Sequence, residues 1–424
     1  MENLIRDSPQ RWEGLDIEIE NKPGAKDLEG LLSVDGRYTV VDGDEIVLQG
    51  RQISFPTRGQ ASATELAQTL SSLISPLAST SEQDHRVAQY SPQYRLSFTL
   101  LNEDAAAGNS FTEWDVSDAI THHIVPILSR LEVLHNFTIE SQVQYHAPLA
   151  FSPRPVNGGF VIDPEDLTVF VNSAEWTLSS SASNDPVLHF VIFVPSADRR
   201  PLHLLDGNGD VSSSTSFLLP QWGGILILNP REPSPLSRLT SPILNPVFSA
   251  FSSHLLSLLG VPSLPPGIKT VSGGHDVLTH WQLDALLRYR ALSNARGSKD
   301  TLHSIVNLVD QIENMPVGQD VRGDIQGALV ALEEMFEHSK FSLTETFRRS
   351  ARALTLSSRA FFNPGMLALL YFPAEHKYAV YTPMFASAVI PLFVAALREL
   401  AAWKRDRRAR AAATQPVSAK PAAT

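Results

Sequence analysis

The residues with the clearest potential for chemistry are the oxygen ligands of Asp206-Gly-Asn-Gly-Asp210, spaced like the opening of a calcium-binding EF-hand loop. The likeness stops at the sixth position, Val211 where that loop needs glycine, and at the twelfth, Phe217 where it needs a bidentate glutamate. So many residues that tolerate left-handed backbone read as a turn. His122 and His123 are adjacent, about 100° apart on a helix, and cannot share a metal as ligands at i and i+4 do. His275 and His280 flank a helix start with no third ligand nearby. The chain has no cysteine, which removes disulfides, thiolate metal sites and a cysteine nucleophile together. No HExxH, no Walker A loop and no GxSxG elbow occurs. Ser, His and Asp are plentiful, so a dispersed triad stays open as an alternative. The sequence assigns no catalytic, cofactor-binding or metal-binding residue.

Two shorter motifs bear on modification and packing. Asn136-Phe-Thr138 is the single N-x-S/T sequon, expected in a turn between a helix and a strand where a glycan can project. Gln221-Trp-Gly-Gly224 precedes an apolar run; paired glycines there predict close backbone approach or a bulge, and Trp222 is read as core rather than as an interface anchor.

The elements that hold these residues follow from periodicity. Residues 37–56 read as three short strands around an Asp42-Gly-Asp44 turn, and Ser62-Ala-Thr-Glu65 is a capping box opening a helix with Leu66, Leu70, Leu73, Ile74 and Leu77 on one face. Leu96, Phe98 and Leu100 alternate with polar residues as a half-buried strand does. A helix with Ile120, Ile124, Ile127 and Leu128 follows, kinked at Pro126, and then a strand with Ile139, Ser141 and Val143 on one face. That is a βαβ-like unit in a parallel or mixed sheet. Val187–Val194 and Gly224–Leu228 read as central strands, with Leu202–Leu205 and Thr215–Leu219 as a hairpin between them. From Pro246 the period is helical. Helices are expected over Val247–Leu259, Val277–Leu292, Thr301–Met315, Ile325–His338 (with Ile325, Leu329, Leu332 and Phe336 as its core-facing stripe) and, from the capping box Ser342-Leu-Thr-Glu345, to Phe361.

One stretch is of another kind. Tyr378–Leu397 is 20 residues without a charge, about 30 Å as a helix, which matches the hydrocarbon thickness of a bilayer. Tyr378 and Tyr381 mark one end; Trp403 and the basic run from Lys404 to Arg410 mark the other. The net charge is −11, but residues 398–424 carry seven Lys/Arg against two acids, or +5, leaving the preceding part near −16. An acidic body argues against nucleic acid as a partner. The positive-inside rule places the tail in the cytosol and the bulk across the membrane. Met1-Glu-Asn-Leu-Ile-Arg-Asp7 has no apolar signal, which predicts either a tail-anchored protein or a sequence lacking its natural beginning.

Four segments carry a resemblance: Tyr90-Ser-Pro-Gln-Tyr-Arg-Leu-Ser-Phe-Thr-Leu-Leu-Asn102, His135-Asn-Phe-Thr-Ile-Glu-Ser-Gln-Val-Gln-Tyr145, Pro220-Gln-Trp-Gly-Gly-Ile-Leu226, and Phe361-Phe-Asn-Pro-Gly-Met-Leu-Ala-Leu-Leu-Tyr-Phe-Pro373 running on through the apolar stretch. Their identity and order resemble the PIG-S family of GPI transamidase subunits over most of residues 90–400, and less clearly over residues 1–60. The resemblance implies an endoplasmic reticulum membrane protein with a lumenal domain between two membrane helices, so that the first helix would be missing here through truncation. It also implies assembly with PIG-K, PIG-T, PIG-U and the Gaa-type subunit, the nucleophile lying in PIG-K and no cofactor in this subunit. Asn136 matches a family glycosylation position by motif.

The resulting expectation is an α/β lumenal domain with a mixed sheet flanked by helices, then a helical part and a C-terminal transmembrane helix. The boundaries are residues 1–89 for N-terminal strands and helix, 90–245 for the α/β body, 246–377 for the helical part, 378–397 for the membrane helix and 398–424 for a basic cytosolic tail. The function expected is a non-catalytic structural subunit of the transamidase. The alternatives are a lumenal hydrolase with dispersed residues and a tail-anchored, cytosol-facing adaptor. Small residues Ala386, Ser387 and Ala388 would then serve to pack partner helices.

Overall fold

In a computed structural model, residues 16–20, 37–56, 62–74, 87–108, 110–178, 183–230, 238–270, 278–311, 318–339, 341–364 and 374–413 are described. The chain divides into two units, 1–295 with 331–351, and 296–330 with 352–424.

In the first unit, the three short strands expected over 37–56 are present: β2 (Arg37–Asp42), β3 (Val47–Gln49) and β4 (Gln52–Phe55). With β1 (Asp16–Glu20) and β15 (Lys269–Thr270) they form a sheet of order β1-β2-β4-β3-β15. Helix α1 (Ser62–Ile74) lays Leu66, Leu70, Leu73 and Ile74 against Tyr38, Val40, Ile53 and Phe55 of that sheet, the face its spacing predicts; Leu77 lies outside the described residues.

The largest sheet has the order β12-β13-β10-β5-β7: β12 (Ser216–Leu219), β13 (Gly223–Ile227), β10 (Val187–Val194), β5 (Gln93–Asn102) and β7 (Asn136–Gln144). Four strands are parallel and β12 is an antiparallel edge, so the sheet is mixed. Central register pairs Phe98 with Phe190 and Val191 with Ile225. Val, Ile and Phe dominate β10 because a central strand must be apolar toward both faces.

The chain between β5 and β7 holds β6 (Glu113–Trp114), paired with β14 (Arg238–Leu239), and helix α2 (116–131). Pro126 has no N–H for an ordinary helical bond. The chain accommodates it with a π-helical turn at Ile120–Ile124, in which the Val125 N–H reaches back to the Ile120 carbonyl. Helix α3 (Ser241–Leu258) packs beside α2 and β13. It ends at Gly260, whose φ of 78° permits the left-handed cap and the Val261 N–H bond to the Leu256 carbonyl. One sheet face thus buries Leu96, Phe98, Phe190 and Ile192 under Ile124, Ile127, Phe248 and Phe251.

The opposite face, with Leu101, Val191, Phe193 and Ile225, is covered by Phe170, Trp176, Leu178 and a small sheet of order β11-β9-β8, where β8 is Arg154–Val156, β9 Gly159–Ile162 and β11 Leu202–Leu204. Two expectations are corrected here. The strand from Leu96 is buried on both faces, because the segment around Leu178 crosses its polar side and accepts a 2.7 Å bond from Ser97 Oγ. Leu202–Leu204 forms no hairpin with Ser216–Leu219; β11 pairs with β9 and β12 with β13.

The helices after residue 270 also differ from expectation. The two predicted over 277–292 and 301–315 are one, α4 (His280–Gln311), passing through Gly297; residues 271–277 and 312–317 lie outside the described residues. α5 (Gln319–His338) buries Val321, Ala328, Ala331 and Met335, leaving Leu329 and Phe336 49% and 67% exposed rather than core-facing. α6 (Leu343–Phe361) opens on the predicted cap, the Glu345 N–H donating to Ser342 Oγ at 3.3 Å. In the second unit, Leu354 Cδ1 lies 3.3 Å from where a Cβ on Gly297 would stand, and Leu356 Cδ1 3.0 Å from one on Gly327. The two glycines let α6 approach α4 and α5. Finally α7 (Ala374–Ala413) is one 40-residue helix, longer than the apolar stretch it contains.

Candidate functional site

The main sheet changes direction between β5 and β10. From β5 the chain crosses to β7 on one side; from β10 it proceeds to β13 on the other. The loops leaving the two strands part, and in α/β sheets the gap at their carboxyl ends is where ligands settle. A crevice of about 320 Å³ lies there, lined by Glu103 and Asp104 after β5, His146 after β7, Ser196, Asp198 and Arg199 after β10, and an apolar wall that includes Leu149 and Phe151.

Its charges are tied to the backbone that builds it. Glu103 is 4% exposed; one oxygen takes a 2.6 Å bond from Arg199 Nη1 and the other the Ser196 N–H at 2.9 Å. Ser196 Oγ donates to Asp198 at 2.5 Å, a bond that holds the Asp198 carboxyl below its ordinary range. Asp104 caps the short turn Ala105–Ala107 through the Ala106 N–H at 2.9 Å. Asn102, at the strand end, exchanges both amide atoms with Phe111, at 2.8 and 3.0 Å. The Ser196 hydroxyl is thus engaged with a carboxylate two residues on, a turn device rather than a serine–histidine pair. These residues escaped the sequence reading. The available signal was position: Glu103-Asp104 and Ser196-Ala-Asp198-Arg199 stand just past the ends of two apolar strands.

The residues singled out by sequence are dispersed. Asp206–Asp210 is a tight turn in which Asp206 Oδ1 accepts the N–H groups of Asn208 and Asp210, at 2.9 and 3.0 Å. His122 Nδ1 contacts the Asp118 carbonyl at 2.8 Å and His123 Nε2 contacts Asn245 Oδ1 at 3.2 Å, each on its own side of α2. His280 Nε2 stands 3.2 Å from Arg130 Nη1, and His275 lies outside the described residues. Among the described residues no three His, Asp or Glu side chains are grouped to hold a metal. Asn136 is exposed but is the first residue of β7, aligned with Gln93, rather than part of a turn.

Gly223 and Gly224 do mark close approach, as expected. A Cβ on Gly223 would fall 1.9 Å from the His189 carbonyl oxygen, and one on Gly224 would fall 2.2 Å from His254 Nδ1 on the other face. Trp222 is half-buried, packed on the second core and stacked on His189 at 4.8 Å.

Among the described residues, exposed large apolar side chains gather along α7. From Ala379 to Arg410 it contains a window of mean hydropathy 1.9 with none of it buried, and Met384, Phe385, Ile390, Leu392 and Phe393 are all more than 60% exposed. A helix apolar all round and uncovered has the composition of a membrane span.

A family model described as phosphatidylinositol-glycan biosynthesis class S protein matches residues 44–406, from within the first sheet to past the apolar stretch of α7. The Mus musculus protein named GPI-anchor transamidase component PIGS is 31% identical over 343 residues, covering 77% of this chain and 61% of the relative. The Schizosaccharomyces pombe protein named GPI transamidase component PIG-S homolog is 32% identical over 334 residues, 78% of this chain and 58% of the relative. The Saccharomyces cerevisiae GPI transamidase component GPI17 is 28% identical over 320 residues, 72% and 57%. The chain spans about three fifths of the length of the curated relatives it matches.

Proposed function

This chain belongs to the PIG-S family, and we propose that it is a membrane-anchored, non-catalytic subunit of the GPI transamidase, the complex that joins a GPI lipid to the new carboxyl end of a proprotein. The observation that carries the proposal is the continuous match over residues 44–406, which takes in the α/β body, the helices and the apolar helix together. The subunit acts by assembly. Its partners are PIG-K, which supplies the cysteine nucleophile, together with PIG-T, PIG-U and the Gaa-type subunit, in the endoplasmic reticulum membrane.

The α/β body lies in the lumen and the basic end of α7 in the cytosol. Asn136, exposed at the head of β7, is glycosylated there. The comparisons support neither the lumenal hydrolase nor the tail-anchored adaptor, and in the crevice the Ser196 hydroxyl bonds to Asp198 instead of to a base.

The test is loss of the gene followed by surface display of a GPI-anchored reporter, with the full chain tagged for purification in mild detergent. The expected result is retention of uncleaved reporter precursor, with membrane partners and a cysteine-protease-like subunit recovered on the tag. Normal reporter display in the deletion sinks the proposal. Lumenal placement has its own check: glycosidase treatment shifts the full chain and leaves Asn136→Gln unchanged.

A further inference from the structure

The apolar stretch of α7 ends near Leu397, but the helix does not; it continues without a break to Ala413. Sixteen further residues carry it about 24 Å past the hydrocarbon edge. Five of the seven residues from Lys404 to Arg410 are basic, against the one acid Asp406. At about 100° per residue, Lys404, Arg405, Arg407, Arg408 and Arg410 fall around most of the circumference, so they make a ring and not a stripe.

Direction matters as much as charge. Side chains on a helix lean toward its N-terminus, and on α7 that is toward the span. Two contacts follow that lean. The Arg407 guanidinium lies 5.3 Å from the centre of the Trp403 ring, one turn back, and Arg405 Nε reaches the Ala401 carbonyl at 3.4 Å. Trp403 is 58% exposed, an amphipathic ring of the kind that settles at the headgroup level. Cations that fold back over such a ring are brought toward the lipid phosphates.

We propose that residues 404–410 form a basic collar that binds the headgroups of anionic phospholipids on the side where α7 leaves the bilayer. This rests on the reading of α7 as a membrane span and is independent of the transamidase role. A positive flank that merely orients the helix would show no preference among lipids once the protein is inserted. A collar held within a Debye length (roughly 8 Å at physiological ionic strength) of the phosphates collects acidic lipid around the helix.

The full chain, reconstituted in phosphatidylcholine nanodiscs with a trace of spin-labelled phosphatidylserine or spin-labelled phosphatidylcholine, reads this out. The motionally restricted fraction of each label gives the preference for the acidic lipid. The expected result is a severalfold preference for phosphatidylserine at 50 mM salt that shrinks toward unity at 500 mM. Replacing Lys404, Arg405, Arg407, Arg408 and Arg410 together by Gln abolishes the preference with insertion intact, and replacing the four arginines by Lys retains it. Insertion without preference, or a Gln variant that keeps the wild-type preference, overturns the collar alone. A chain that fails to insert overturns the span and the collar with it.

Discussion

Two histidines of the α/β body, His135 and His189, are buried and held neutral, and His254 on α3 is half-buried. Burial pushes His189 down to about 4, with the Arg95 charge adding to it and Glu140 opposing. Burial likewise pushes His135 to about 4, against a 2.6 Å bond with the Ser91 carbonyl; His254 is lowered by burial too. Unfolded, each binds a proton near pH 6.5; folded, His189 and His135 do so only near pH 4. Between those values the unfolded chain holds more protons, so stability is full above pH 6.5 and falls as pH drops toward 4. From pH 6.5 to 5 the loss is roughly 1–2 kcal/mol for each histidine. Urea midpoints of the full chain in detergent at pH 7, 6 and 5 test this: His189→Gln is less stable at pH 7 but loses less on acidification than wild type. Parallel pH profiles for the two proteins would refute it. Of this neighbourhood the sequence displayed only Gln221-Trp-Gly-Gly224 and the demand for close approach. That the approaching groups are the His189 carbonyl and the His254 ring was hidden, since both come from more than 25 residues away and periodicity carries no information on such pairings.

Among the elements, α4 joins the N-terminal sheet through one buried carboxylate. Asp284 is 0% exposed; Arg51 forks onto it at 2.7 and 2.9 Å and the Tyr38 hydroxyl donates to it at 2.8 Å. Arg288 in turn donates to that hydroxyl at 2.5 Å, while Tyr38 packs on Trp281 with ring centres 4.2 Å apart. Arg51 is itself buried, so Asp284→Ala strands a cation in a site that excludes water and is expected to cost about 3–5 kcal/mol. Arg51→Ala made in the same chain should recover part of that loss, because the stranded charge goes with it. Denaturant midpoints of the singles and the double decide the matter; additive losses would mean that the pair is not coupled. Helix α4 also shows where sequence reasoning stops. The sequence predicts one helix ending at Leu292 and another starting at Thr301, yet a single helix runs through both, with Leu354 Cδ1 only 3.3 Å from where a Cβ on Gly297 would stand. On α5 the large side chains drew the predicted stripe, whereas the buried face is made by Ala328 and Ala331, small residues that let helices come close. The β5–α2–β7 unit was legible as strand, helix and strand from local periodicity within about 50 residues, but the cover over the polar side of β5 comes from around Leu178 and was not.

For the molecule as a whole, the decisive contrast is between buried Phe and Ile in the sheet cores and the exposed Phe and Ile of α7. Large apolar side chains left uncovered side by side are unfavourable in water and mark a surface that meets lipid or another protein. At about 60 Å the helix is twice the thickness of the hydrocarbon core, so it can cross and still project. This feature was the most legible in the sequence, because a span is set by composition over 20 consecutive residues and needs no tertiary partner. The same independence makes it separable from the rest. The full chain should stay with membranes through extraction at high pH in carbonate and leave them only in detergent. A chain ended before Ala374 should appear in the carbonate supernatant, because the acidic body that precedes the span carries most of the negative charge and is repelled by anionic lipid. Release of the full chain by carbonate would mean that α7 lies against another protein instead of crossing the bilayer, and would remove the physical basis for placing this subunit in the membrane.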